Sequence, residues 1–106
     1  MQNPALKNQI ENYSKQVRCM AIDPRLMATH MSLYTALFVA WQQNAFISPF
    51  PVTRKALMTF SKIASVATYH KCIRELNDFN YIRYQPSFSP KAESLVYWQH
   101  HSEQQV

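Results

Sequence analysis

Residues 61–84, SKIASVATYHKCIRELNDFNYIRY, change abruptly from a helical pattern to the alternation of a strand. Ser65 is a favourable N-cap, and the pattern after it predicts a helix that continues to about Phe79. Asn80 then stands where a helix usually ends in glycine, a residue that this chain lacks. Asparagine is the next most tolerant residue in left-handed geometry, so a strand is expected to follow the helix directly.

The predicted helix has two chemically different faces when its residues are spaced 100° apart. The apolar face consists of Val66, Tyr69, Cys72, Ile73 and Leu76. The opposite face consists of Ala67, Lys71, Arg74 and Asp78, with Thr68 and His70 on the flanks. The first face is predicted to enter the core, and the second to present a basic surface to a partner.

Short elements are predicted on both sides of this helix. Thr53 is a candidate N-cap for a helix of about two turns, RKALMTF, and the preceding ISPFPVT is predicted to be an extended passage. After the long helix, the loop QPSFSPKAES and the strand LVYW complete a two-stranded hairpin over residues 81–98. Lys91 lies at its exposed tip.

Two further helices are predicted upstream. The first carries one narrow apolar stripe at steps of three and four residues, which is expected to pack on its own domain or on the same helix of a second chain. The stripe consists of Leu6, Ile10, Tyr13 and Val17. The second helix contains no Asp, Glu, Lys or Arg and is predicted to be the central core helix. Its apolar face consists of Leu33, Tyr34, Leu37, Phe38 and Trp41.

These elements predict a mainly α chain with a small β-hairpin, in the α+β class. Residues 1–22 form an amphipathic helix for packing or dimerisation, and residues 23–99 form one domain. Pro24 marks the break between the two, because proline cannot continue a preceding helix. Residues 100–106 are expected to be a disordered tail.

The excess positive charge is confined to one segment of the chain. Residues 53–91 contain seven Lys or Arg and two Asp or Glu, a balance of +5, whereas the rest contains four of each, so that segment holds the whole formal charge of +5. Such clustering indicates an anionic partner, although a solvated basic surface that serves only solubility gives the same pattern.

Several other classes of protein fit the sequence poorly. No apolar run reaches the roughly 20 residues that span a bilayer, and the amino-terminal stretch lacks the core of a secretory signal, so a cytoplasmic location without membrane contact is expected. Cys19 and Cys72 are expected to be ordinary thiols. His70 and Cys72 point in different directions on a helix, so we expect no metal site and no cofactor. The six carboxylates are scattered, and no enzyme activity is predicted.

Residues 53–98 resemble the winged helix-turn-helix superfamily of DNA-binding proteins, with a short helix, a turn, a recognition helix and a β-hairpin wing in that order. Residues 29–97, through THMSLYTALFVAWQQNAF, SKIASVATYHKCIRELNDFNYI and YQPSFSP…SLVY, are also similar to small Bacteroidetes proteins described as transcriptional regulators and often found with mobile elements. Asn80 stands where the superfamily usually has glycine, and the wing reads SPKAES where the family commonly carries one.

The resemblance implies a winged helix-turn-helix with an additional N-terminal helix, which binds double-stranded DNA in a bacterial cytoplasm and is nucleoid-associated when bound. The helix over residues 65–79 would enter the major groove, and the 81–98 hairpin would be the wing. Base contacts are expected from Ala67, Thr68, His70, Lys71 and Arg74. Phosphate contacts are expected from Arg54, Lys55, Lys62, Ser65 and Lys91. Instead of contacting DNA, Lys71 and Arg74 could be solvated charges on the helix surface. His70 could likewise only cover the flank of the helix.

The function expected first is a sequence-specific transcriptional regulator. It is expected to be a homodimer, through the stripe of the first helix with or without the face of the central core helix, and to bind no small-molecule ligand. Two alternatives remain: a winged-helix module that binds a protein, and a recombination accessory factor of a mobile element. The clustered basic charge favours DNA over a protein partner, since a protein-binding winged helix does not require it.

Overall fold

The computed structural model describes residues 4–89 and 92–99. Helices and strands follow in the order α1 (Pro4–Ala21), α2 (Ala28–Gln43), β1 (Phe50–Val52), α3 (Arg54–Ser61), α4 (Val66–Asp78), β2 (Ile82–Gln85) and β3 (Ser94–Trp98). This mixed α+β class, with a winged-helix-like layout, confirms the predicted fold class. Lys91 and the tail over residues 100–106 lie outside the described residues.

Helix α2 is the centre of the core, as predicted. Leu33, Tyr34, Leu37 and Trp41 are buried, and Phe38 packs against them with part of its ring exposed. The rings of Trp41 and Trp98 stack with their centroids 4.7 Å apart and their planes 11° apart. Large aromatic side chains contribute much of the apolar area that a small core can bury, so this stack fixes β3 on α2.

The sheet has three strands rather than the predicted two. β3 is central and pairs antiparallel with both β1 and β2, in the order β1-β3-β2. Phe50 and Val52 of β1 face the core and Pro51 faces solvent. Proline lacks the N–H that a central strand must donate, but an edge strand tolerates it. The extended passage of the prediction is therefore an edge strand, and the hairpin is part of a larger sheet.

The apolar stripe of α1 is divided between two environments. The ring of Tyr13 stacks on Phe38 at 4.1 Å, and its hydroxyl lies 2.8 Å from Oγ1 of Thr35. Met20, near the carboxyl end, is buried. Towards the amino end, however, Leu6 is 38% exposed and Ile10 is 50% exposed. The carboxyl half of α1 thus packs on its own domain, and the amino half leaves apolar surface open.

Local signals set the ends of α3 and α4. Oγ1 of Thr53 accepts from the N–H of Ala56, and Oγ of Ser65 accepts from the N–H of Thr68, so both predicted N-caps are confirmed. Lys62 ends α3 in the left-handed region, with φ of 62°. Asn80 follows α4 with φ of 67°, as predicted for a chain without glycine.

Candidate nucleic-acid interface

Helix α4 has the two faces that the sequence predicts, with one exception. Its buried side consists of Tyr69, Cys72, Ile73 and Leu76. Its outward side consists of Ala67, His70, Lys71, Arg74 and Asp78, all exposed, with Thr68 half-buried at the edge. Five predicted base-contacting residues therefore lie on or beside one surface of one helix, which we call the α4 outer face.

The exception is Val66, which was predicted to lie in the core. It is the first residue of α4 and is 45% exposed. Ile63 belongs to the turn before α4 and is buried. The carbonyl of Met58 accepts its backbone N–H and holds that turn against the end of α3.

An open groove of about 600 Å³ lies between α3 and the first residue of α4. The uncharged part of its lining is mostly apolar and consists of Met58, Ile63, Ala64 and Val66, together with the polar Thr59. Three cations, Arg54, Lys55 and Lys62, are exposed around it. Among the described residues that line the groove, none is acidic. Three of the predicted phosphate contacts are therefore grouped at the amino end of α4, beside the exposed N-cap Ser65.

The charge of Arg54 also acts on α4. Burial raises the pKa of Tyr69, in α4, above its ordinary value, and interaction with Tyr84 of β2 raises it further. The positive charge of Arg54 acts on the same hydroxyl in the opposite direction and lowers its pKa. The positive field of Arg54 therefore acts on α4 as well as on the groove.

Several hydrogen bonds fix α4 against the rest of the domain. Nε2 of His30, in α2, lies 2.9 Å from Oε1 of Glu75. At the carboxyl end, Oδ1 of Asn77 accepts the backbone N–H of Tyr84 at 2.9 Å and joins the helix to β2. These contacts lie on the buried side and the carboxyl half of α4, so the outer face and the amino end stay open.

The hairpin presents two exposed residues that the sequence analysis did not assign to a role. Arg83, on β2, is exposed, and its guanidinium carbon lies 4.6 Å from the centre of the Tyr97 ring on β3. The sequence signal for its exposure was its place between Ile82 and Tyr84, because successive residues of a strand point to opposite faces. Phe88, in the loop between β2 and β3, is 96% exposed. Because Lys91 lies outside the described residues, Arg83 is the described cation of the hairpin.

Within residues 4–89 and 92–99, no three His, Cys, Asp or Glu side chains lie where they would hold a metal ion. No helix there is both long enough and apolar enough to cross a bilayer. Cys19 is exposed and Cys72 is buried, and both are free thiols.

Comparison of the chain with protein-family models, with curated proteins and with solved structures found no match.

Proposed function

We propose that this chain binds double-stranded DNA with sequence preference and acts as a transcriptional regulator of the winged helix-turn-helix superfamily. The observation that carries the proposal is the continuity of the α4 outer face with the basic groove at its amino end. Val66 lines the groove and is followed directly by Ala67, the first residue of the α4 outer face. The major groove of B-DNA is wide enough to admit one helix, and phosphates flank it on both sides.

In this proposal, the two groups of residues have different tasks. Lys71 and Arg74 lie on successive turns of the α4 outer face, where they can donate to guanine O6 and N7, and Ala67, Thr68 and His70 complete the base-reading surface. Arg54, Lys55, Lys62 and Ser65 hold phosphates of one strand beside the amino end of the helix. The first group sets sequence preference, and the second sets affinity and its dependence on salt.

We also propose that two copies associate through the amino half of α1. Leu6 and Ile10 keep apolar surface open there, whereas the face of α2 that was a second candidate interface is buried inside the domain. A dimer would double the contacts with DNA, since a single recognition helix buries little area.

Fluorescence anisotropy tests the DNA-binding proposal. The full chain is titrated onto duplexes from the upstream region of its own gene and onto shuffled duplexes, at two salt concentrations. We expect tighter, salt-sensitive binding to the native duplex and a loss of about tenfold or more per base contact in Lys71→Ala/Arg74→Ala. The matched control is Lys7→Ala/Arg18→Ala, which removes the same charge from exposed positions of α1.

The two double variants distinguish binding at the α4 outer face from general attraction between the positive net charge of the protein and DNA. If both double variants lose affinity equally, the binding reflects net charge and the α4 outer face has no special part in it. Weak binding that ignores sequence would contradict the regulator proposal and favour the protein-interaction module. Preference for the end of a mobile element over the upstream region would favour the recombination accessory factor.

A further inference from the structure

Val66 places an apolar, β-branched side chain on the open surface at the start of α4. It is 45% exposed, and it lines the groove together with Met58 and Ile63. Its neighbour Ala67 is also exposed. Single exposed apolar residues are common on protein surfaces, so exposure alone assigns no role. The charged residues around Val66 indicate what kind of partner it could contact.

A partner that fits this surface combines negative charge with an apolar group. Arg54, Lys55 and Lys62 surround the groove, and none of the described residues that line it is acidic. A phosphate backbone satisfies the cations, but it offers no apolar group to Val66 and the other apolar residues of the lining. In the major groove of DNA, the C5 methyl of thymine is the apolar group on the base edges, and small aliphatic side chains are its usual contacts.

We propose that Val66 contacts the C5 methyl of a thymine while the cations around the groove hold phosphates of the same strand. Val66 is then a specificity-determining residue, and each binding site contains a thymine that the protein distinguishes from cytosine and from uracil by its methyl group. The inference rests on the proposed function, because it names the base that the amino end of α4 reads.

Deoxyuridine provides the direct test, since it differs from thymidine only by the missing methyl. A duplex is first selected from a random-sequence library with the full chain, and each of its thymines is then replaced singly by deoxyuridine. We expect one replacement to weaken binding about fourfold, the effect of one methyl group removed from contact. The other replacements should have smaller effects.

Two variants identify the contacting side chain. In Val66→Ala, the sensitive deoxyuridine position should no longer weaken binding, because the methyl has lost its partner. Val66→Thr keeps the branched shape and one of the two methyls at this exposed position, so it should reduce the effect less than Val66→Ala does. Ile22→Ala changes an exposed apolar residue of the loop between α1 and α2 and should leave the fourfold effect intact.

The outcomes separate this inference from the proposed function. If no deoxyuridine replacement in the selected duplex changes the affinity, the proposed thymine contact is wrong. The proposal that the chain binds DNA would then still stand. An unchanged fourfold effect in both Val66 variants would assign the methyl contact to another residue and also overturn the inference. Failure to enrich any duplex would overturn the proposed function, and the role of Val66 with it.

Discussion

Nε2 of His30, in α2, lies 2.9 Å from Oε1 of Glu75, in α4. His30 is buried, and its Nδ1 accepts the backbone N–H of Met27 at 2.8 Å. Because Nδ1 is an acceptor there, the ring proton lies on Nε2, and His30 donates to the Glu75 carboxylate. One imidazole therefore joins the start of α2 to the carboxyl half of α4.

Removal of the Glu75 carboxylate, which accepts the hydrogen bond, should destabilise the domain more than replacement of Glu75 by glutamine. Glu75→Ala leaves a buried N–H without a partner, and we expect the free energy of unfolding to fall by about 1–3 kcal/mol. Glu75→Gln retains an oxygen acceptor and should cost less than about 1 kcal/mol. Urea unfolding at pH 7 measures both. Glu11→Ala, at an exposed position of α1, is the control and should remain within about 0.5 kcal/mol of the wild type. Equal losses for the Ala and Gln variants of Glu75 would show that the hydrogen bond is not the cause.

Asp23 joins the loop between α1 and α2 to the residue before β2. Its Oδ2 accepts from the hydroxyl of Tyr81 at 2.7 Å and from Arg25 Nη2 at 2.7 Å. The hydrogen bonds from Arg25 hold the pKa of Asp23 well below its ordinary value of 3.8. Burial and the bond to Asp23 raise the pKa of Tyr81 from 10.0 to about 12.

These shifts predict losses of stability at both ends of the pH range. The lowered pKa of Asp23 stabilises the folded state at pH values above the carboxyl pKa in the unfolded chain. This contribution therefore declines as the pH falls below about 4. The raised pKa of Tyr81 stabilises the folded state at pH values below the phenol pKa in the unfolded chain. That contribution therefore declines between about pH 10 and 12. Urea unfolding across these ranges should show Tyr81→Phe losing the alkaline decline and Asp23→Asn losing much of the acid decline. An alkaline decline of equal size in Tyr81→Phe would reject the assignment to Tyr81.

Local signals were enough to predict most of this fold from the sequence. The N-caps Thr53 and Ser65, the left-handed Asn80 and the periodicity of α2 each depend on residues within a few positions of one another. β1 could not be predicted in the same way. Its three residues include Pro51, and they become a strand only by pairing with residues 94–96, more than forty positions later.

The candidate interface shows a similar limit. The helical wheel gave the direction of each side chain on α4, and the exposure of Lys71 and Arg74 follows from it. The wheel does not show which turns of a helix are covered by another element. Val66 lies in the core direction on the wheel, but it is 45% exposed at the first turn of α4, whereas Tyr69 one turn later is buried. The groove beside Val66 was therefore not predicted.

Association of two chains should depend on the open end of α1. We expect the wild type to elute near twice its mass of 12.4 kDa and Leu6→Ser/Ile10→Ser to elute as a monomer, because a serine pair removes the apolar surface. Size-exclusion chromatography with light scattering measures this. Ile22→Ser/Met27→Ser removes two exposed apolar residues elsewhere and should remain dimeric. A monomeric wild type at tens of micromolar, or a dimeric Leu6/Ile10 variant, would contradict the proposed interface.

Lys62 combines backbone strain with a proposed phosphate contact, so its substitution should change stability and binding in opposite directions. A lysine at φ of 62° carries a steric cost that glycine avoids, and we expect Lys62→Gly to raise the free energy of unfolding by about 0.5–1 kcal/mol. The same variant loses a cation of the groove, so its affinity for DNA should fall and the slope of log affinity against log salt should decrease by about 1. Thermal unfolding and anisotropy measure the two effects.

Two controls separate the strain at Lys62 from its charge. Lys62→Ala removes the charge and keeps a Cβ, so it should match the glycine variant in binding without the gain in stability. Asn80→Gly relieves a left-handed residue at φ of 67° without loss of a cation, and it should stabilise the domain slightly and leave binding unchanged. If Lys62→Ala bound DNA as the wild type does, Lys62 would not be a phosphate contact. The basic groove would then end at Arg54 and Lys55, both at the amino end of α3.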